Sequence, residues 1–314
     1  MASMRAPIAV PEPLAAHYRD GGAAEQAWAA GLPALAEEFL DRWQLRPQGP
    51  PAHGAVSLVL PVLRIDGTAA VLKLQPADDE TCGEPLALRA WGGVDAVRML
   101  DHDPGTGTML LERLDAARSL LTVPDDLAAL ATLSELLARL VAHPAPEGLR
   151  RLSEVMAAIL EGVPQALAQL ADAEERRLLA NCTAAAREVA AEPGDRLLHW
   201  DLHYANVLAS QPASGRPPWL AIDPKPLAGD PGFELLPALR NRWDDVAAVG
   251  DVPRAVRRRF DLMTETLGLD RQRARAWTLG RILQNALWGV EGGDLLLQPE
   301  QAAIARTLLA TGIR

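Results

Sequence analysis

The densest group of polar side chains lies at residues 199–206, His-Trp-Asp-Leu-His-Tyr-Ala-Asn, between two apolar runs. Polar groups beside buried segments need partners or a function, because burying them alone is unfavourable. His199 and His203 are four residues apart, a spacing that on a helix would place both on one face and allow zinc binding. However, the flanking sequence is strand-like and no further ligands stand out, so zinc is the weaker interpretation.

Asp201 and Asn206 fit a different chemistry. With His199 they have the spacing of the kinase catalytic loop, His-x-Asp-x-x-x-x-Asn. An aspartate there can orient an attacking hydroxyl and accept its proton, and an asparagine can hold Mg²⁺ on nucleotide phosphates. A second oxygen ligand is expected after the next strand, and Asp223 follows the apolar run 219–222. The pattern predicts phosphoryl transfer with Asp201 as catalytic base and Asn206 and Asp223 as magnesium ligands.

Phosphoryl transfer also requires a lysine on a strand to contact the nucleotide phosphates. Lys73 lies in the apolar run 69–74, where a lysine is costly unless it meets an anion. Glu84, on the helix predicted to follow, is expected to orient this lysine, with Glu80 as the alternative. The loop over the phosphates offers Gly54 and Ser57, which we also predict to bind ATP although no glycine-rich motif surrounds them.

The elements that must position these residues follow from periodicity. Residues 12–45 have helical spacing, and Pro33 predicts a break into two short helices. Two apolar halves around Asp66–Gly67 predict a β-hairpin, followed by a helix at 83–93 and two short strands. Backbone groups of Glu112 to Leu114, near the end of the last strand, are expected to bind adenine. From residue 124 the pattern is mostly helical, with strands only within 196–223, and the later helices are predicted at 244–268, 271–290 and 299–312.

This order of elements predicts an α+β, bilobal fold. Residues 1–115 would form a lobe with a small antiparallel nucleotide-binding sheet and a hinge near 111–115. Residues 116–314 would form a larger, mainly helical lobe that carries the catalytic loop, the metal site and the substrate-binding region.

Charge and composition narrow the partners. The net charge is −10, which argues against a nucleic-acid binder and permits a cationic ligand, although solubility alone explains many acidic proteins. Neither a long uncharged apolar run nor a signal peptide is apparent, so we expect no membrane span. Cys82 and Cys182 are isolated, which fits a reducing, cytoplasmic location better than a disulfide scaffold.

Segments along nearly the whole chain resemble the aminoglycoside phosphotransferases, and within them the streptomycin 6-kinases. They include LKLQ, LRAWGG, VRMLDHD, MLLERLD, LLHWDLHYANVLA and PWLAIDPKPLAGDPGFELLPAL. The resemblance implies a protein-kinase-like fold and ATP- and Mg²⁺-dependent phosphorylation of the 6-hydroxyl of the streptidine ring of streptomycin, which inactivates the antibiotic. Asp223 is followed by Pro224 and Lys225 rather than Phe-Gly, a departure that favours a small-molecule kinase over a protein kinase.

Streptidine carries two guanidinium groups, which carboxylates bind bidentately and a tryptophan face attracts. The predicted substrate-binding residues are therefore acids and one tryptophan in the C-terminal half: Asp230, Glu234, Asp245, Trp288 and Glu291.

Three alternatives remain open at this point. A kinase of the same fold could act on another hydroxylated, guanidino or amine compound, such as hydroxyurea or a metabolite. A non-catalytic binding protein would be expected to lose Lys73, Asp201, Asn206 or Asp223, and all four are present. A metal hydrolase would use the two histidines of the loop.

Overall fold

The computed structural model describes residues 8–212 and 214–310. The chain divides into two compact units, Met1–Leu114 and Asp115–Arg314, called here the first and second units. Among the described residues, the first unit holds a six-stranded antiparallel sheet and three α-helices, and the second is mainly helical with two small antiparallel sheets. The predicted α+β class, with a sheet-containing part and a larger helical part, is confirmed.

The first unit begins with two helices, α1 (Glu12–Arg19) and α2 (Ala23–Arg42). The predicted break at Pro33 is wrong, since α2 continues through this residue and the chain turns instead at residues 20–22. A proline removes one helical hydrogen bond. Buried side chains on both sides of it, including Leu32, Ala36 and Phe39, hold α2 in the core, so tertiary packing outweighs the local penalty.

The sheet of the first unit consists of β1 (Arg46–Pro47), β2 (Ala52–His53), β3 (Leu58–Leu63), β4 (Ala69–Leu74), β5 (Met99–Asp103) and β6 (Thr108–Glu112). Its order is β1-β3-β4-β6-β5, with β2 also pairing with β3. The predicted hairpin at Asp66–Gly67 is confirmed, and Gly67 supplies the positive φ of +82° that the turn requires. The predicted helix between β4 and β5 is α3 (Glu84–Trp91). Consequently β4 and α3 carry the predicted lysine and its acid.

The second unit contains five short strands and eight α-helices among the described residues. The strands are β7 (Asp115–Ser119), β8 (Arg196–Leu198), β9 (Val207–Ala209), β10 (Trp219–Ala221) and β11 (Leu227–Gly229). The helices are α4 (Asp126–Leu140), α5 (Leu152–Gln169), α6 (Ala173–Val189), α7 (Leu235–Arg240), α8 (Trp243–Ala248), α9 (Val252–Leu267), α10 (Arg271–Glu291) and α11 (Pro299–Ala310). The single helix predicted at 244–268 is wrong, because Gly250, with φ +77°, and the N-cap Asp251 separate α8 from α9.

Strand pairing in the second unit brings the ends of the loop 199–206 and the segment around Asp223 together. One sheet has the order β10-β9-β7 and the other pairs β11 with β8, all antiparallel. Helix α10 packs against α5, α6 and the short 3₁₀ helix Pro231–Glu234, and buries Trp277, Ile282 and Leu283. This buried helix supports the loop that leaves β8.

Two further observations bear on the sequence predictions. No helix within residues 8–212 and 214–310 is long and apolar enough to cross a membrane. Cys82 is exposed, Cys182 is buried, and both are free thiols.

Candidate active site

The polar loop 199–206 joins β8 to β9 and ends in a 3₁₀ helix, Tyr204–Asn206. His203 caps this helix, since its Nδ1 accepts a hydrogen bond from the Ala205 N–H at 3.2 Å. The Asn206 N–H donates to the His203 carbonyl at 2.9 Å. The loop is thus a compact turn, and Asp201 lies in it with a half-buried side chain.

The metal-ligand candidates lie on neighbouring strands. Val207 of β9 pairs with Ala221 of β10. The residue that follows β10, Ile222, donates its N–H to the Asn206 carbonyl at 2.9 Å. Asp223 therefore directly follows the residue that is bonded to Asn206. The Asn206 amide nitrogen donates to the Asp201 carbonyl at 3.0 Å, which leaves the amide oxygen to meet a cation. An amide oxygen and a carboxylate suit Mg²⁺, a hard ion that keeps several waters and phosphate oxygens. The residues therefore fit a magnesium ion.

Zinc receives no support from the same region. Among the described residues there is no group of three or more His, Cys, Asp or Glu side chains that could hold a metal ion. His199 is fully buried, and burial lowers its pKa to about 4. Burial also lowers the pKa of His203, against an opposing effect of Asp201. Both rings bond to the backbone, as expected for residues that shape a loop.

In the first unit, Lys73 and Glu84 form a buried ion pair. The Lys73 Nζ lies 2.9 and 2.8 Å from the two carboxylate oxygens of Glu84, and the side chains are 6% and 1% exposed. The Gln75 amide also donates to this carboxylate, at 2.7 Å. Sequence reasoning missed Gln75, although its position two residues after Lys73 places it on the same face of β4 and its continuation. The glutamate therefore fixes the position of the ammonium group, as the sequence predicted for an orienting acid.

The other predicted nucleotide-binding residues lie at a tight turn and at a strand end. Gly54 and Ser57 close the turn between β2 and β3, where the Gly54 N–H donates to the Ser57 carbonyl at 2.9 Å. A Cβ at position 54 would lie 2.7 Å from the Ser57 Oγ, so a side chain there would force the Ser57 hydroxyl to turn away. Glu112 ends β6, and its N–H already donates to the Arg98 carbonyl at 2.9 Å. This donor is used within the first unit, and Leu114 is the last residue of that unit.

Two of the predicted substrate acids bind the protein itself. The Asp230 Oδ2 accepts from Arg273 at 2.7 Å and its Oδ1 accepts from the Gly232 N–H at 2.8 Å. The Asp245 Oδ2 accepts from Arg242 at 2.6 Å. These bonds count against direct substrate contact, because a ligand would have to displace a charged partner.

Glu234 and Trp288 also have protein partners. Glu234 is 0% exposed, accepts the Trp200 N–H at 2.6 Å, and has its pKa raised to about 8 by burial. Trp288 is 44% exposed, and the Arg281 guanidinium carbon lies 5.4 Å from its ring centroid. The predicted cation–π contact is thus made by an arginine of the chain. Glu291 is exposed at the end of α10.

Sequence comparison with known proteins assigns this chain to a family. The sequence profile described as aminoglycoside/hydroxyurea antibiotic resistance kinase matches residues 42–293. Streptomycin 6-kinase of Streptomyces glaucescens is 59% identical over 302 residues, 96% of this chain and 97% of that protein. Hydroxyurea phosphotransferase of Kitasatospora aureofaciens is 58% identical over 293 residues, 93% of this chain and 83% of that protein.

A solved structure shares the fold. A thermostable mutant of aminoglycoside phosphotransferase APH(4)-Ia, crystallised as a ternary complex with ADP and hygromycin B, matches with a TM-score of 0.57 at 16% sequence identity. The match covers 90% of this chain and 99% of that one. At this level of identity the likeness shows the fold alone.

Proposed function

Because the chain belongs to the aminoglycoside/hydroxyurea antibiotic resistance kinase family, we propose that it transfers the γ-phosphate of ATP to the 6-hydroxyl of the streptidine ring of streptomycin. The observation that carries this proposal is the placement of Asp201, Asn206 and Asp223 on one loop and two paired strand ends. This arrangement suits phosphoryl transfer.

In the proposed reaction, Asp201 orients the acceptor hydroxyl and accepts its proton as the oxygen forms a bond to the γ-phosphorus. The bond between that phosphorus and the β,γ-bridging oxygen breaks, and ADP leaves with the electron pair. Asn206 and Asp223 would hold Mg²⁺, which would neutralise negative charge on the phosphate oxygens. Lys73 contacts the phosphates, and its pairing with Glu84 keeps the ammonium in place.

We favour streptomycin over hydroxyurea as the substrate. The match covers 97% of the streptomycin kinase relative but only 83% of the hydroxyurea relative. The net charge of −10 also concentrates a cationic substrate such as streptomycin near the protein. We further propose a cytoplasmic location, where ATP is available. Hydroxyurea is the second candidate, because the relative that carries this name is 58% identical.

The test is ADP release from ATP in the presence of Mg²⁺ with either streptomycin or hydroxyurea as acceptor. We expect release that requires streptomycin and Mg²⁺, a product heavier by one phosphate, and a ³¹P–¹H coupling that locates the ester at the 6-position. Release with hydroxyurea alone would transfer the proposal to the second candidate. If the protein binds ATP but releases no ADP with either compound, both substrate assignments are overturned, whereas the kinase-like fold assignment stands.

A further inference from the structure

The turn 54–57 joins β2 to β3 and is the segment predicted to cover the nucleotide phosphates. Protein kinases use a glycine-rich loop for this purpose, whereas here Gly54 is followed by Ala55, Val56 and Ser57. Backbone N–H groups of ordinary residues can also cradle an anion, provided that the backbone holds them in the right direction. A turn of this composition therefore depends on contacts that fix its backbone.

The register of the sheet places the turn next to Lys73. Val59 of β3 pairs directly with Lys73 of β4, and the turn ends at Ser57, two residues before Val59. Two residues of strand span about 7 Å. A phosphate group that contacts the Lys73 ammonium is thus close enough to meet N–H groups of the turn as well.

The turn has little support from its own neighbours in sequence. Strand β2 is only two residues long, and within the turn the Gly54 N–H donates to the Ser57 carbonyl at 2.9 Å. The N–H groups of Ala55 and Val56 have no acceptor among the described residues. These two donors can bind an anion, but a short strand and one backbone bond do not fix their direction.

A side chain from α1 supplies further support. Tyr18 is 4% exposed, and its hydroxyl donates to the Val56 carbonyl at 2.7 Å, across 38 residues of chain. Val56 itself packs, partly buried, against the hydrophobic core of the first unit. The hydroxyl thus holds the peptide group between Val56 and Ser57, in the second half of the turn.

Tyr18 is in turn fixed by its surroundings. Its ring centroid lies 5.0 Å from that of Trp28 on α2, and Leu14, one helical turn earlier, is fully buried. Burial and the nearby carboxylates of Asp78 and Glu25 raise the pKa of Tyr18 to about 12. The hydroxyl therefore keeps its proton at physiological pH and remains a hydrogen-bond donor.

We propose that Tyr18 is a positioning residue that holds the turn 54–57 through the Val56 carbonyl and thereby directs the N–H groups of Ala55 and Val56 toward the nucleotide phosphates. An anchor from α1 then takes the place of a glycine-rich motif. The proposal rests on the proposed function only in requiring that the protein binds ATP.

The test compares the binding of ADP and of adenosine to the wild type and to Tyr18→Phe, by calorimetric titration in the presence of Mg²⁺. Phenylalanine keeps the ring contact with Trp28 and removes only the hydroxyl, so the variant should fold. We expect the affinity for ADP to fall about 3- to 10-fold, which corresponds to about one hydrogen bond. Adenosine has no phosphates, so its affinity should stay within about twofold of the wild type.

Ser134→Ala is the matched control. The Ser134 hydroxyl is also buried and donates to a backbone carbonyl, that of Leu130, at the same distance of 2.7 Å, but it lies in α4 of the second unit. This variant should bind both ligands as the wild type does. If Tyr18→Phe matches this control, or loses affinity for ADP and adenosine by the same factor, Tyr18 is only structural and the proposal is overturned.

Hydrogen exchange reports on the turn itself. The Gly54 N–H is bonded within the turn, so its exchange should be at least about threefold faster in Tyr18→Phe than in the wild type or in Ser134→Ala. Unchanged exchange would mean that Tyr18 does not hold the turn, and would overturn the proposal whatever the ADP affinity.

The outcomes separate this proposal from the proposed function. A wild-type protein that binds neither ATP nor ADP would overturn both. A wild-type protein that binds ADP, with no effect of Tyr18→Phe, would overturn only the role of Tyr18. A selective loss of ADP affinity, in a protein that phosphorylates neither streptomycin nor hydroxyurea, would uphold the role of Tyr18 and reject the proposed substrates.

Discussion

His199 holds the backbone on both sides of Asp223. Its Nε2 donates to the carbonyl of Ile222 at 3.0 Å, and its own carbonyl accepts the N–H of Lys225 at 3.0 Å. Asp223 lies between these two bonds with φ +56°, a left-handed conformation that a side chain adopts at some cost. A buried, neutral imidazole can donate to the carbonyl without carrying a charge into the core, so His199 links the loop 199–206 to the second magnesium-ligand candidate.

This link predicts a pH dependence of stability. The pKa of His199 falls from 6.5 to about 4 because burial disfavours the charged ring. Between these pH values the unfolded chain binds a proton that the folded chain does not, so the free energy of unfolding should decrease as pH falls. The full effect of this one group is roughly 3 kcal/mol.

Urea denaturation at a series of pH values from 4 to 7 measures this effect. His199→Asn keeps a donor for the Ile222 carbonyl but cannot titrate, so its stability should depend less on pH within this window. The slope of the free energy of unfolding against pH should differ most between the two proteins from pH 4 to 6.5. Parallel pH profiles would show that His199 is not neutral and buried as described.

Asp201→Asn should lower kcat about 10²- to 10⁴-fold, the range expected for loss of a general base. The amide keeps the size of the carboxylate but cannot accept the proton, so ADP affinity should stay within about twofold. Steady-state kinetics and calorimetric titration with ADP separate these two quantities. Asp251→Asn is the matched control, because asparagine is an equally good N-cap for α9. If Asp201→Asn turns over at a rate near that of this control, Asp201 is not the general base.

Asp223→Asn tests the magnesium site with little backbone disturbance. Asparagine tolerates the left-handed conformation about as well as aspartate, but it lacks the negative charge. We expect the Mg²⁺ concentration for half-maximal ADP release to rise at least about tenfold. The same titration on Asn206→Ala should show a smaller rise, because a neutral ligand is lost. An unchanged Mg²⁺ requirement in Asp223→Asn would exclude Asp223 as a ligand.

The Lys73–Glu84 pair allows stability and nucleotide binding to be separated. Lys73→Met leaves the buried Glu84 carboxylate without its cation and should cost about 3–5 kcal/mol. In the double variant Lys73→Met, Glu84→Gln the buried charge is gone, so most of that stability should return. The KM for ATP should stay raised in both proteins, because the phosphate contact is missing. Recovery of the wild-type KM in the double variant would place Lys73 away from the phosphates.

Features set by neighbouring residues were predictable. The hairpin at Asp66–Gly67 follows from turn chemistry, and the strands around the catalytic loop follow from short apolar runs. Lys73 and Glu84 are only 11 residues apart, on a strand and the helix after it, so their pairing could be anticipated. The break at Pro33 was predicted from a local rule and failed, because core packing of α2 outweighs one lost hydrogen bond.

The partners of the acids could not be predicted in this way. Asp230 meets Arg273 across 43 residues, and Glu234 meets the Trp200 N–H across 34. An acid in the sequence looks the same whether it faces a ligand or an arginine of its own chain. Arg281, a charged residue within the apolar pattern of α10, is a local signal that a polar partner lies in the core.

The sequence by itself therefore determined the elements of this protein and the order of its reactive residues, because periodicity, turn chemistry and motif spacing act over short stretches of chain. The tertiary structure alone decided which charges are used within the protein and how the backbone enters Asp201. Those outcomes depend on side chains brought together from elements far apart in the chain, where burial makes each unpaired charge costly and so selects its partner.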